Sequence, residues 1–173
     1  MYRFLTTLMI GAAVTLPALA QESNAQSDVH AKLIDHWKTS KKYVLALAEQ
    51  MPAADYGFKP NPAEMSFGQQ MAHIASSNGY FFSKLSGKAN PIAKPADFEK
   101  ATVLKMLNDS YDFAIATLGS LTPEQMHATI DTGEGKMTGF ELLLLATDHT
   151  AHHRGQCIVY LRAKNIKPTD YEF

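Results

Sequence analysis

The stretch TGFELLLLATDHTAHHRGQCIVYLRAK, residues 138–164, decides how this chain folds. It opens with Thr138 and, three residues later, Glu141. That pair makes a capping box, in which each side chain bonds the other residue's backbone N–H. Leu142, Leu145, Ala146, His149, His153, Gln156 and Tyr160 then recur at helical spacing and predict one long helix. Asn165 suits a left-handed cap past its end, and Pro168 stands just beyond. Within this helix His149 and His153 are four residues apart, which puts their Cβ atoms about 5–6 Å apart on one face. Two neutral imidazoles so placed can share a divalent cation, each nitrogen about 2.0–2.1 Å from it.

Upstream, the same reading gives three more helices. Ser27 is expected to cap one that runs to about Gln50, with Val29, Leu33, Trp37, Val44, Leu47 and Met51 as its apolar stripe. Pro52, Gly57 and the Phe58–Pro62 run force an irregular crossing. Ser66 and Gln69 form a second capping box. The helix they open turns Met71, Ile74, Asn78, Phe81, Phe82 and Leu85 inward and stops at Gly87. A third helix is expected over about Phe98–Gly119, burying Val103, Leu104, Leu107, Tyr111, Ile115 and Leu118. Thr122 and Pro123 open a short turn to Met126, since proline fits the first helical position. Asp131–Lys136, with two glycines, reads as an exposed connection. Four long amphipathic segments without an alternating strand pattern predict an all-α four-helix bundle.

The N-terminus is expected to stand outside that bundle. Arg3, the apolar run from Phe4 to Leu16 and the small-x-small Ala18-Leu19-Ala20 predict a signal peptide over residues 1–20, cleaved after Ala20. Export to a bacterial periplasm follows, with no stable membrane anchor once the segment is removed. Taking 20 of 173 residues away leaves 153, one domain's worth: a disordered leader over 21–27 and the bundle over 28–173. Losing Arg3 moves the formal charge from −1 to −2, and no clustered basic surface points to nucleic acid. Cys157 is the one cysteine, so no internal disulfide forms, and a lone helical cysteine reads as a small buried hydrophobe.

A helix pair supplies two ligands, whereas a catalytic zinc-type site takes three protein ligands and keeps a position for water. His73 is the best third ligand, because it lies midway along the second helix beside the apolar face. Its neighbours one turn away, Gln70 and Ser77, are polar and suit a wet pocket. His152 competes with His153, but adjacent helical residues point about 100° apart, so both cannot join His149 on one ion. The stripe favours His153 and leaves His152 at its edge, in a supporting or surface role. Gln156 and Tyr160 continue the ligand face and would orient a ligand or substrate, while Arg154 is a candidate for an anionic substrate group or a solvated helix arginine. His30, His36 and His127 read as ordinary histidines.

The segment Ser66-Phe67-Gly68-Gln69-Gln70-Met71-Ala72-His73-Ile74, followed later by His149-Thr-Ala-His152-His153-Arg-Gly-Gln156, resembles the DinB-like family of metalloenzymes. Asp55-Tyr56-Gly57-Phe58-Lys59-Pro60 is similar to that family's link between the first two helices, and the resemblance spans about residues 28–168. It implies an up-down-down-up four-helix bundle, a homodimer, and a divalent metal, zinc or nickel, on His73, His149 and His153. It also implies S-transferase or hydrolase chemistry on a small-molecule substrate. Thiol-transferring relatives work in the cytosol, so an exported chain favours hydrolysis or a thiol-independent reaction.

Thr150 stands between the ligands where His-Glu-x-x-His peptidases carry their basic glutamate, which disfavours a zinc peptidase of that kind. The sequence names no catalytic base. Two other readings compete with an enzyme. In one, a periplasmic or stress-related domain uses the ion to staple its helices. In the other, Tyr80, Phe81 and Phe82 line an apolar carrier.

Overall fold

The computed structural model of the protein describes residues 16–171. The first fifteen residues, and with them most of the expected signal peptide, lie outside the described residues. The N-terminal unit, which ends at Lys32, contributes the first part of helix α1 (Leu16–Gln50). The second unit, from Leu33 onward, holds the core and the candidate site. α1 starts upstream of Ser27, so that serine lies inside the helix and does not cap it. Upstream of it, Gln21, Glu22, Ala25 and Gln26 are good helix formers.

The second unit contains α2 (Phe67–Ser86), α3 (Lys100–Ser120), a short α4 (Pro123–His127) and α5 (Gly139–Ala163). All three capped starts are reciprocal boxes: Ser66 with Gln69, Thr122 with Gln125, and Thr138 with Glu141. Gly87, at φ 68°, ends α2 in the left-handed region, and Asn165, at φ 59°, follows α5 in the same way. α3 begins after Glu99, so Phe98 precedes it and stays exposed.

The helix directions follow from side-chain pairings. Ser40 meets Tyr111 at 2.9 Å, and Lys100 reaches Glu49 at 3.1 Å, so α3 runs antiparallel to α1. Trp37 packs edge-on against Phe82 at 4.7 Å, while Tyr56, bonded to the carbonyl of Ala48, packs on Phe67 at 5.2 Å. α2 is therefore antiparallel to α1 as well. Gln70 contacts His153 and Asn78 contacts Thr150, which runs α5 back along α2. The order is up-down-down-up.

Two parallel neighbours, α2 and α3, need a connection that travels back along α2. Residues 87–99 make that return, and glycines let it lie close. A Cβ on Gly79 would stand 2.4 Å from Asn90 Oδ1, and one on Gly68 would stand 2.3 Å from the Phe98 carbonyl oxygen.

The core gathers Trp37, Val44, Leu47 and Met51 of α1 with Met71, Ile74 and Phe82 of α2, Leu107, Tyr111 and Leu118 of α3, and Leu142 and Leu161 of α5. Leu104 and Ile115 pack at its edge. Val29, placed on the α1 stripe by spacing, is 58% exposed, because the buried stripe begins only at Leu33. Leu145 is 43% exposed for a different reason. The buried arc of α5 also takes in Leu143, Thr150, Cys157 and Leu161. Its centre lies between Leu142 and Leu143, with Leu145 about 100° away at 100° per residue.

The Asp131–Lys136 connection is more ordered than its sequence suggested. β1 (Thr129–Asp131) and β2 (Lys136–Thr138) pair antiparallel, with Ile130 opposite Met137 and Gly133 at φ 86° in the turn. The hairpin reaches α2 through Tyr80, whose hydroxyl donates to the Thr132 carbonyl at 2.7 Å, and Lys84, which donates to the Asp131 carbonyl at 3.2 Å.

Candidate metal centre

Two capped helices, α2 and α5, bring the candidate ligands together. On α2, Gln70, His73 and Ser77 follow at spacings of three and four; on α5, His149, His153 and Gln156 do the same. Antiparallel packing turns the two rows toward each other. His73, His149 and His153 each offer one ligand nitrogen, and these atoms all lie within 4.8 Å of one another. His73 Nε2 stands 3.1 Å from His149 Nε2, and the three ring centroids are 4.4–4.9 Å apart. Two nitrogens bound to one tetrahedral ion at about 2.0–2.1 Å would be about 3.3 Å apart. The observed pair is close to that spacing.

The electrostatics favour uncharged rings. Burial lowers the pKa of His73 below the ordinary imidazole range. Burial also lowers His149, with the neighbouring charges of His73 and His152 adding to the effect. His153, 9% exposed, is pushed down to about 4, again mainly by burial and then by His149, His73 and His152. Neutral imidazole is the form that ligates a metal. The two Nε2 atoms can share the N–H of one neutral ring as a hydrogen bond, or a cation can stand between them. The donor set fits a divalent cation.

The surroundings are polar on one side and apolar on the other. Gln70, 1% exposed, places Oε1 2.7 Å from His153 Nδ1. Ser77 Oγ lies 3.5 Å from His149 Nε2, and the ring of Phe81 stands 5.5 Å from that of His149. Gln70 and Ser77 were visible in the sequence as polar residues one turn from His73. What sequence could not give was the role of Gln70, which depends on a contact between residues 83 positions apart.

The remaining predicted residues divide. His152 is exposed on the rim, its ring 4.9 Å from that of His153 and its Nε2 2.9 Å from Gln156 Nε2. Gln156 is half-buried on the ligand face, and its Oε1 has no hydrogen-bond partner among the described residues. Tyr160 is buried and touches the cluster only through Gln70, 3.5 Å from its hydroxyl. Arg154 does not join the histidines. Its guanidinium lies over the rings of Tyr43 at 5.4 Å and Tyr171 at 4.8 Å, and it lines a cavity with His36, Trp37 and Ser40. Cys157 is fully buried, and burial pushes its thiol pKa up, so it offers no thiolate.

A mostly helical bundle with three histidines converging from two of its helices defines a class of candidate metal-binding protein. The chain belongs to the DinB superfamily, which matches residues 36–157. It is similar to the protein YjoA of Bacillus subtilis strain 168, with 32% identity over 136 residues that cover 76% of this chain and 88% of YjoA. The crystal structure of YjoA, described as DinB-like, superposes with a TM-score of 0.68 at 28% identity, covering 82% of this chain and 96% of that one. A DinB-like protein of Bacillus cereus ATCC 10987 has the same fold, with a TM-score of 0.72 at 17% identity over 81% of this chain and 95% of its own.

Proposed function

We propose that the chain binds a divalent cation, zinc or nickel, through His73, His149 and His153, and that the loaded centre hydrolyses a small-molecule substrate in the periplasm. The convergence of three neutral imidazoles within 4.8 Å carries the reading. When bound, such an ion supplies Lewis acidity at a position left open by three protein ligands. The chain's own residues then divide the work. Gln70 fixes the ring of His153, Phe81 walls the centre with apolar surface, and Ser77 and Gln156 offer polar atoms for orienting a bound molecule. The accessible rim at His152 and Gln156 is where a substrate would enter. S-transfer stays the second chemistry for this site, where an ion held by His73, His149 and His153 would favour the thiolate form of a thiol cosubstrate. The expected homodimer belongs to this proposal too.

A non-catalytic reading has its own support: the three histidines come from two helices, so an ion held among them would also staple α2 to α5. The test loads metal-stripped protein with zinc or nickel and screens esters, amides and electrophile–thiol pairs against the stripped control. Turnover that appears with the ion supports the enzyme. Turnover that persists after the ion's removal overturns the Lewis-acid mechanism. X-ray absorption of the loaded protein separates the two readings: three nitrogens with a light-atom solvent ligand fit catalysis, and a fourth protein ligand fits a staple.

A further inference from the structure

We infer that Tyr160 and Gln70 are positioning residues that set the proton of His153 on Nδ1 and leave its Nε2 free for a cation. They do so by a chain of hydrogen bonds that begins at the backbone carbonyl of Met65. A carbonyl oxygen only accepts. The Tyr160 hydroxyl, 2.8 Å from the Met65 carbonyl, therefore donates its one proton there. Its oxygen is left as an acceptor, and the group facing it at 3.5 Å is Gln70, which must present its amide nitrogen. That choice turns Gln70 Oε1 toward His153 Nδ1, 2.7 Å away. An amide oxygen accepts, so Nδ1 carries the hydrogen. In a neutral ring Nε2 is then the bare acceptor.

Burial makes the chain directional. Gln70 is 1% exposed and Tyr160 3%, so solvent offers few substitute partners. Flipping the Gln70 amide would set its oxygen against the Tyr160 oxygen, whose proton is already committed to Met65. Met65 sits one residue before the Ser66 cap of α2, and Tyr160 lies seven residues past His153 on the same face of α5. The turn that starts one helix thus dictates the tautomer of a residue on the other. Partners of this kind orient metal-binding histidines and raise their affinity. The consequence for affinity rests on the proposed ligand set, whereas the tautomer does not.

Nitrogen-15 NMR of the metal-free protein reads the tautomer directly. Wild type should show His153 protonated on Nδ1. Gln70→Glu, whose carboxylate only accepts, should keep that form. Gln70→Leu and Tyr160→Phe should both admit the Nε2-protonated form. Zinc affinity, measured by chelator competition, should fall about 10–100-fold in Gln70→Leu and stay near wild type in Gln70→Glu. Wild-type His153 protonated on Nε2 would overturn the proposal, as would a Gln70→Leu protein that keeps both tautomer and affinity. If the tautomers behave as expected but zinc binds none of the proteins, the relay stands and the metal reading fails.

Discussion

His73 Nε2 and His149 Nε2 lie 3.1 Å apart although 76 positions separate them in the sequence. Only the antiparallel packing of α2 on α5 makes that approach, and each helix is phased by its own capping box. A shift of one residue in either helix would rotate its histidines by about 100° and break the cluster.

Single alanine substitutions test the ligand set. His73→Ala, His149→Ala and His153→Ala should each lower zinc or nickel affinity by at least about 100-fold, since each removes one of three ligands. His152→Ala should leave bound metal, measured by elemental analysis, near stoichiometric. An empty His152→Ala protein beside a loaded His153→Ala protein would reverse the assignment of the helix face.

Acid should destabilise the metal-free protein over a defined window. His153 titrates near 4 when folded and near the ordinary 6.5 when unfolded, so between those values the unfolded chain binds a proton that the folded chain refuses. His73 and His149 are shifted in the same direction. Their effect on stability is absent above about pH 6.5 and grows as pH falls toward 4. Urea midpoints at pH 7.5 and pH 5 should differ accordingly, and His153→Gln should narrow the gap. Equal gaps in the two proteins would contradict the shift.

Cys157 should resist alkylation in the native protein. It is fully buried with its thiol pKa raised, so iodoacetamide should label it only after unfolding, at a rate that follows denaturant. Rapid native labelling, read by mass spectrometry, would contradict the burial.

The return loop along α2 should be sensitive to one methyl group. Gly68→Ala places a Cβ 2.3 Å from the Phe98 carbonyl oxygen, a backbone atom that has little room to move. A loss of about 1–3 kcal/mol is expected. Gly57→Ala, with nothing within 4 Å of the added carbon, is the control and should change thermal stability far less.

Local signals carried most of the fold. The pairs Ser66 with Gln69 and Thr138 with Glu141 bond within one turn, so spacing alone reveals them, and both boxes form. Gly87 and Asn165 end their helices for the same local reason. Exposure was harder to read. Leu145 fits the i, i+3 spacing yet faces solvent, because α5 is apolar on more than one side and its buried arc is fixed by neighbouring helices. The hairpin was missed because three-residue strands carry too little alternation to register. At the site, the spacing of His149 and His153 was legible, and the polar surroundings of His73 hinted at its partner. Arg154 was not legible: its stacking on Tyr43 and Tyr171 depends on chain segments far apart in sequence.

The hairpin ties α2 to the start of α5 through Tyr80 and Lys84, and Tyr160 ties α5 to the start of α2 through Met65. The histidines sit between those two fastenings. A cluster braced at both ends has little rearranging left for a guest to drive. If the cluster holds a metal as proposed, rival cations would be sorted by radius and preferred bond angles, with the scaffold as the fixed gauge.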